Sequence, residues 1–139
     1  MEVKIYSHKV QYYETDMMGI VHHSNYIRWF EEARTDFLEQ VGYSYKRFED
    51  EGIISPVLEV QAKYKSMARY GDIVNIEVHM RKFTGLKFSL EYIITDSETG
   101  EVRVTGFSEH GMIDKEHKPV RLKKINPELY NLLSSLVEE

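Results

Sequence analysis

Residues 15–42 read TDMMGIVHHSNYIRWFEEARTDFLEQVG, and the architecture of the whole chain can be worked outward from them. Between residues 25 and 41, apolar side chains recur at spacings of three and four, which predicts an amphipathic helix. These side chains are Tyr26, Ile27, Phe30, Ala33, Phe37, Leu38 and Val41. Ser24 can cap the start of this helix, and Gly42 can adopt the left-handed conformation that ends it. The stretch therefore predicts one long buried helix.

A carboxylate, Asp16, stands a few residues before this helix, and Gly19, His22 and His23 lie between the two. Unpaired N–H groups at the start of a helix, together with the helix dipole, favour negative charge. They could stabilise the oxyanion that develops on an ester or thioester carbonyl while Asp16 acts as nucleophile or as the base for a water. The alternative is that Asp16 only caps a turn, which is the common role of a loop aspartate.

The bulk composition narrows the class of protein. A length of 139 residues with ordinary charged and apolar fractions predicts a single folded domain over residues 1–139. The net charge of −5 does not favour nucleic-acid binding, and the absence of cysteine excludes disulfides, a thiolate nucleophile and thiolate metal sites. The polar amino terminus differs from a signal peptide, and no run approaches the ~20 apolar residues of a membrane span. We therefore expect a cytoplasmic protein without membrane insertion.

Outside the opening stretch, apolar and polar residues alternate as they do in strands with one wet face. The alternation predicts strands over residues 58–65, 74–80, 86–94 and 102–112, and a first strand with an irregularity over residues 3–13. Short turns between these strands, such as Thr84-Gly85, predict an antiparallel meander. Two smaller helices are expected, one capped by Ser44 and one that begins at Asn126-Pro127.

Together these elements predict an α+β fold in which an antiparallel sheet of about five strands curls around the central helix. The helix is the only element long enough to cover the apolar face of such a sheet. The sheet keeps open edges, and pairing with a second copy is a common way to close them. We therefore expect a homo-oligomer, either a homodimer or a homotetramer.

The remaining charged residues of the helix are expected on a solvated or intersubunit face: Glu31, Glu32, Arg34, Asp36 and Glu39. Surface or hydrogen-bonded positions are expected for His8, His79, His110 and His117. Adjacent side chains in extended backbone point to opposite sides, so only one of His22 and His23 can face Asp16, and we favour His23. The pair lacks the spacing of a metal site, so no metal or other cofactor is expected.

The pattern Asp16-x-x-Gly19-x-Val21-x-His23-x-x-Tyr26, followed by a long amphipathic helix, resembles the hot-dog-fold acyl-CoA thioesterases of the 4-hydroxybenzoyl-CoA thioesterase type. It is most similar to the branch of small bacterial enzymes that act on acyl-CoA or acyl-carrier-protein thioesters. The resemblance continues through residues 64–72 and 118–122, so it covers nearly the whole chain. Met67 stands where many relatives carry proline, and Met17-Met18 stand where smaller residues are usual.

The resemblance implies a role for each matching position. Asp16 would be the catalytic carboxylate, a backbone amide at His23 or its neighbour would hold the oxyanion, and the His23 side chain would be a second catalytic or orienting group. Active sites of this family lie between two subunits. The expected substrate-binding residues are Gly19, Ile20, Val21, Ser24, Tyr26, Tyr64, Ser66, Arg81, Lys82 and Arg121. Arg81, Lys82 and Arg121 are expected as ligands for the coenzyme A phosphates, and many other basic residues are available.

The expected activity is hydrolysis of an acyl thioester to a free acid and a thiol, with coenzyme A or an acyl carrier protein as the thiol. A non-catalytic protein that binds an acyl ligand on the same scaffold is the alternative from another class. A hydratase or dehydratase on this scaffold would need an acid–base pair elsewhere on the helix, which the sequence does not contain. The acyl group, the choice between a nucleophilic and a general-base route, and the choice between dimer and tetramer stay open at this stage.

Overall fold

A computed structural model describes residues 3–138 of the chain. The strands are β1 (Tyr6–Lys9), β2 (Val57–Tyr64), β3 (Ile73–Phe83), β4 (Lys87–Asp96) and β5 (Val102–Gly111). The helices are α1 (Ser24–Gln40), α2 (Tyr45–Asp50), α3 (Leu122–Ile125) and α4 (Pro127–Leu136), and a 3-10 turn covers Tyr12–Glu14. None of the helices within residues 3–138 is both long and apolar enough to cross a membrane.

The five strands form one sheet in the order β1-β3-β4-β5-β2, and every neighbouring pair is antiparallel. Helix α1 covers the apolar face of this sheet and shares one buried core with it. At the centre of that core, the ring of Phe30 stacks on Tyr92 of β4 with 4.4 Å between centroids. Gly106 of β5 leaves the space for Phe30, because a Cβ at this position would overlap the ring. The predicted α+β fold, a curled antiparallel sheet around a central helix, is confirmed.

The ends of the helices, and two of their three predicted amino-terminal caps, agree with the prediction from the sequence. Helix α1 ends before Gly42, which has a φ of 87° as its predicted left-handed role requires. Ser44 accepts a hydrogen bond from the Arg47 N–H at the start of α2, and Asn126 accepts one from the Leu129 N–H at the start of α4. These contacts confirm the predicted caps of α2 and α4. The predicted Ser24 cap of α1 is wrong, because His23 holds the N-cap position and Ser24 is already the first helical residue.

The first predicted strand, over residues 3–13, is wrong outside Tyr6–Lys9. Strand β1 contains only Tyr6–Lys9, and the chain then forms the 3-10 turn Tyr12–Glu14 instead of continuing as a strand. The Gln11 N–H donates to the Glu14 carboxylate at 2.8 Å, which closes this turn. A capping interaction of this kind competes with strand pairing for the same backbone donor.

Arg34 does not lie on a solvated face as expected. Only 7% of it is exposed, and it donates from Nε to the Tyr45 hydroxyl and from Nη1 to the Tyr92 hydroxyl. The chain of hydrogen bonds continues from Tyr92 to Ser108 at 2.6 Å and from Ser108 to His110 Nε2 at 2.7 Å. Arg34 can therefore orient a polar network that joins α1 to β4 and β5.

The direction of this network follows from Arg34, which can only donate. Tyr92 accepts from Arg34, and its own proton finds an acceptor among its partners only if it goes to Ser108, whose proton then goes to His110 Nε2. His110 is then neutral with its proton on Nδ1, an atom that is buried and has no partner within residues 3–138. Burial, and then the charge of Arg34, lower the pKa of His110 to about 3.

Strand β2 is an edge of the sheet, and it pairs only with β5 among the described residues. Apolar side chains on both of its faces are exposed, including Val57, Leu58 and Val60. The alternation in the sequence had predicted one buried and one wet face. In a single chain seven of its eight residues are exposed, and only Ala62 is partly buried against the core.

Candidate active site

The loop that contains Asp16 is a tight turn held by hydrogen bonds within its own backbone. The Asp16 N–H donates to the Ile20 carbonyl at 2.9 Å, and the Gly19 N–H donates to the Asp16 carbonyl at 3.0 Å. Gly19 has a φ of 77°, a backbone conformation that residues other than glycine rarely adopt. Thr15 and Val21 then pair as an antiparallel bridge. Gly19 therefore shapes the loop instead of lining the pocket beside it.

The two carboxylate oxygens of Asp16 differ in their surroundings. Oδ1 accepts a hydrogen bond from the Met18 N–H at 2.8 Å, which is the turn-capping contact of the alternative interpretation. Oδ2 accepts none from residues 3–138, and the side chain lies beside a pocket. The turn contact fixes the direction of the carboxylate while one oxygen stays available.

The backbone amides at the start of α1 are also unequal. The Ser24 N–H donates to His22 Nδ1 at 3.2 Å, and the Asn25 N–H donates to the His22 carbonyl at 3.0 Å. The Tyr26 N–H is directed at the His23 carbonyl, 3.3 Å away. The His23 N–H, by contrast, donates to no acceptor in the described chain. Of these four amides, His23 thus carries the one left free for a ligand.

A pocket of about 260 Å³ lies between the Asp16 loop, the start of α1 and the end of β2. Its polar lining consists of Asp16, His23, Lys65 and Ser66, and its apolar lining of Met18, Ile20, Val21, Tyr26, Tyr64 and Met67. His23 lines it and His22 does not, and the ring of His22 stacks on His23 at 4.3 Å. Mostly apolar walls with a few convergent polar groups are typical of a ligand site.

Two backbone contacts of Ala68 hold the walls of the pocket together. Its carbonyl accepts the Val21 N–H at 2.9 Å, and its N–H donates to the Tyr26 hydroxyl at 3.4 Å. Burial raises the pKa of Tyr26 above its ordinary value, so this hydroxyl keeps its proton. The segment after β2 is thereby attached both to the Asp16 loop and to the first turn of α1.

Ser66 reaches the pocket with a hydroxyl that is already committed. It donates to the Val102 carbonyl at 2.8 Å and accepts from Arg103 Nη1 at 3.1 Å. Arg103 in turn forms an ion pair with Asp96 at 3.0 Å. Hydrogen bonds from the Thr99 and Glu98 amides, and then from Arg103, lower the pKa of Asp96 to about 2. Ser66 can serve as a polar wall but has no proton to give a substrate.

The structure brings together seven of the residues expected in the site, and they line one pocket: Asp16, Ile20, Val21, His23, Tyr26, Tyr64 and Ser66. Ser24 lies beside it, with its hydroxyl 2.8 Å from His22 Nδ1. The three basic residues lie elsewhere in the chain. Arg81 pairs with Glu91 at 3.1 Å, and Lys82 and Arg121 each border a different pocket. Their role as phosphate ligands stays a prediction.

Lys65 and Met67 line the pocket and are not among the expected residues. The sequence carries a signal for both. The alternation of β2 stops after Tyr64, and once the strand ends, successive residues no longer point to opposite faces. Residues 64–67 can then all face one space. Within residues 3–138 no cluster of three histidine, aspartate or glutamate side chains could hold a metal ion.

Residues 10–133 match the model of a family described as the thioesterase-like superfamily. A crystal structure of DHNA-CoA thioesterase from Staphylococcus aureus is 36% identical and superposes with a TM-score of 0.89 over 94% of this chain and 88% of that one.

Two relatives extend the comparison. YneP of Bacillus subtilis, to which an acyl-CoA thioesterase activity is ascribed, is 35% identical over 121 residues, which are 86% of this chain and 87% of that protein. A 1,4-dihydroxy-2-naphthoyl-CoA hydrolase from Thermosynechococcus vestitus is 25% identical over 114 residues, covering 81% of this chain and 77% of the relative.

Proposed function

Because the chain belongs to the thioesterase-like superfamily and is a thioester hydrolase, we propose that its pocket beside Asp16 hydrolyses an acyl-CoA to a free acid and coenzyme A. One observation carries the choice of this pocket. Asp16 Oδ2, which accepts no hydrogen bond, and His23, whose N–H donates none within the described residues, border the same cavity. A thioester carbonyl placed there would meet a nucleophilic oxygen and a hydrogen-bond donor together.

In the proposed reaction, an Asp16 oxygen attacks the thioester carbon, or it takes a proton from a water that attacks. The carbonyl oxygen gains negative charge, which the His23 N–H and the positive end of the α1 dipole stabilise. The C–S bond then breaks, and the thiolate leaves and takes up a proton. In the nucleophilic route a water finally hydrolyses the mixed anhydride and restores the Asp16 carboxylate, so both routes consume one water.

The His23 side chain is assigned to the water or to the leaving thiolate. Its ring borders the pocket, and two neighbours limit its rotation: the His22 ring stacked at 4.3 Å and the Tyr64 ring at 6.1 Å, edge on. A histidine held in one orientation can orient a water or deliver a proton to sulfur.

The proposed acyl group is aromatic or of similar bulk. Two of the similar proteins are named for 1,4-dihydroxy-2-naphthoyl-CoA and for DHNA-CoA, and the apolar walls here include Tyr26, Tyr64 and two methionines. Flat rings stack on tyrosines, while methionine adapts to varied shapes. Lys65 at the rim is the proposed contact for a phosphate of coenzyme A. An acyl carrier protein remains the alternative donor of the thioester.

We also propose that two copies pair through β2. This edge strand presents unpaired backbone groups and the exposed side chains Val57, Leu58 and Val60, a combination that monomeric proteins avoid. Tyr64 at the end of the same strand borders the pocket. A second copy at this edge would thus cover the apolar strand and stand next to the site.

The assignment of Asp16 is tested with Asp16→Asn and a matched control, Asp114→Asn. Asp114 also caps a turn, because its Oδ1 accepts the Glu116 and Lys118 amides at 2.9 and 3.0 Å, but it does not line the pocket. Turnover is measured against a graded series of acyl-CoA chain lengths and a benzoyl-type thioester. We expect Asp16→Asn to lose at least about 10³-fold in kcat and the control to change less than about twofold.

Three other outcomes would contradict either the role of Asp16 or the proposed activity. Retention of most activity in Asp16→Asn removes Asp16 from its role. Binding of acyl-CoA without turnover by the wild-type protein favours the non-catalytic alternative. Loss of the conjugated double bond from an enoyl-CoA would instead identify a hydratase.

A further inference from the structure

Glu14 is a buried carboxylate that the proposed reaction does not use. Only 4% of it is exposed, yet it accepts three hydrogen bonds: from the Gln11 N–H at 2.8 Å, from Trp29 Nε1 at 2.7 Å and from His8 Nε2 at 2.8 Å. Burial by itself would raise the pKa of Glu14, but these donors outweigh it, so the pKa lies below its ordinary value. Glu14 is therefore held as a charged group inside the protein.

Glu14 also forms hydrogen bonds through its backbone carbonyl. The Glu14 carbonyl accepts the His22 N–H at 2.9 Å and the Asn25 Nδ2 amide at 2.8 Å. These two contacts attach it to the end of the Asp16 loop and to the first turn of α1. Glu14 precedes Asp16 by two residues, and His22 precedes the free amide of His23 by one. Glu14 thus connects the position of the Asp16 carboxylate with that of the His23 amide.

His8 connects Glu14 to a second carboxylate, that of Glu32, and we call Glu14, His8 and Glu32 together the anchor. Its Nε2 contacts Glu14 and its Nδ1 contacts Glu32 at 3.1 Å, while its ring packs on Trp29 at 4.6 Å. Glu32 also accepts from the Tyr6 hydroxyl at 2.8 Å. The anchor therefore joins β1 to α1 by charge-assisted hydrogen bonds.

We propose that Glu14 is a positioning residue for thioester hydrolysis: its buried carboxylate fixes the backbone that sets Asp16 against the His23 N–H. This inference rests on the function proposed above. Neither Glu14 nor His8 lines the pocket, so neither touches the substrate. If the anchor loosens, Asp16 and the amide move relative to each other, whereas the walls formed by Tyr64 and Met67 stay in place.

The test uses Glu14→Gln, which keeps the size of the side chain but faces three donors with a single acceptor oxygen. The control is Tyr92→Phe, which removes a buried hydroxyl from the Arg34–Ser108 network, remote from the Asp16 loop. Both variants are compared with the wild-type protein in kcat, KM and urea midpoint. Amide exchange is measured at His22, which donates to Glu14, and at Met18, which donates to Asp16.

We expect Glu14→Gln to lower kcat between about 10- and 100-fold with KM changed less than about threefold, since a misplacement of ~1 Å can cost that much. Exchange at His22 and Met18 should accelerate at least tenfold. Tyr92→Phe should lower the urea midpoint but leave kcat and both exchange rates near the wild-type values. Wild-type kcat in Glu14→Gln, or an equal loss of kcat in Tyr92→Phe, overturns the proposal.

Failure of the proposed function is recognised separately. If the wild-type protein turns over no acyl-CoA, the function fails, and the exchange rates of His22 and Met18 still decide whether Glu14 fixes the loop. If the wild-type protein is active, Asp16→Asn is inactive and Glu14→Gln is unaffected in kcat and exchange, only the positioning role is refuted.

Discussion

We predict that His110 makes the folded protein less stable in mild acid. The histidine is fully buried, and its protonation would require a proton on Nε2, where Ser108 already donates. The Ser108 hydroxyl would have to reverse, and the Tyr92 proton would then lose its acceptor on Ser108. The fold therefore keeps His110 neutral, whereas the unfolded chain allows it to charge.

The sign and size of the effect follow from the two pKa values. They are 6.5 for an ordinary histidine and about 3 in the folded protein. Because the unfolded state then binds more protons, stability falls as the pH drops below 6.5 and continues to fall toward pH 3. One pKa unit corresponds to about 1.4 kcal/mol, so lowering the pH from 7.5 to 5 removes about 2 kcal/mol per chain through this residue.

The assay is urea unfolding at pH 7.5 and pH 5 at one protein concentration, followed by the fluorescence of Trp29, the single tryptophan and a buried one. His110→Gln keeps an acceptor for Ser108 but cannot titrate, so it should lose about 2 kcal/mol less than the wild-type protein on acidification. His117→Asn is the control, because His117 is exposed and asparagine tolerates its φ of 64°. If His110→Gln and the wild-type protein lose equal stability, the buried neutral histidine is not the cause and the reasoning is refuted.

Two further predictions concern the core and the sheet edge. Gly106→Ala should destabilise the fold by about 1–3 kcal/mol in urea unfolding, because the new methyl group overlaps Phe30. Adding Phe30→Leu should recover part of that loss, and strict additivity of the two changes would contradict the overlap. Val60→Glu on β2 should convert a dimer to a monomer in light scattering, whereas Leu86→Glu, at a similarly exposed apolar residue outside the strands, should not. A Val60→Glu protein with wild-type mass would exclude pairing through β2.

The sequence predicts the central helix and most strands because their periods are properties of the backbone. The spacing of three and four places Phe30, Ala33 and Phe37 on one buried face, and α1 differs from its predicted limits by one residue at each end. Caps such as Ser44 and Asn126 are equally local, since donor and acceptor are three residues apart. The same holds for the site: the Asp16 loop and the start of α1 are adjacent in the sequence and in space.

The parts that could not be predicted depend on partners distant in the sequence. Glu14 looks like any polar loop residue until the fold brings Trp29 and His8 to its two oxygens. The sequence predicts a solvated or intersubunit face for Arg34, because nothing near Arg34 in the sequence identifies Tyr92, 58 residues away, as its partner. A charged residue is normally exposed unless it is paired, and periodicity contains no information on pairing.

A structural role of Asp16 does not conflict with the proposed catalytic role, because the two roles use different oxygens. Oδ1 accepts the Met18 N–H, and Oδ2 accepts no hydrogen bond within residues 3–138. An asparagine can keep the first contact through its own Oδ1, so Asp16→Asn preserves the turn and removes only the charge and the nucleophilic oxygen. Asp16→Ala removes both. Equal inactivity in the two variants, with exchange at Met18 accelerated only in Asp16→Ala, would separate the chemistry of the carboxylate from its role in the loop.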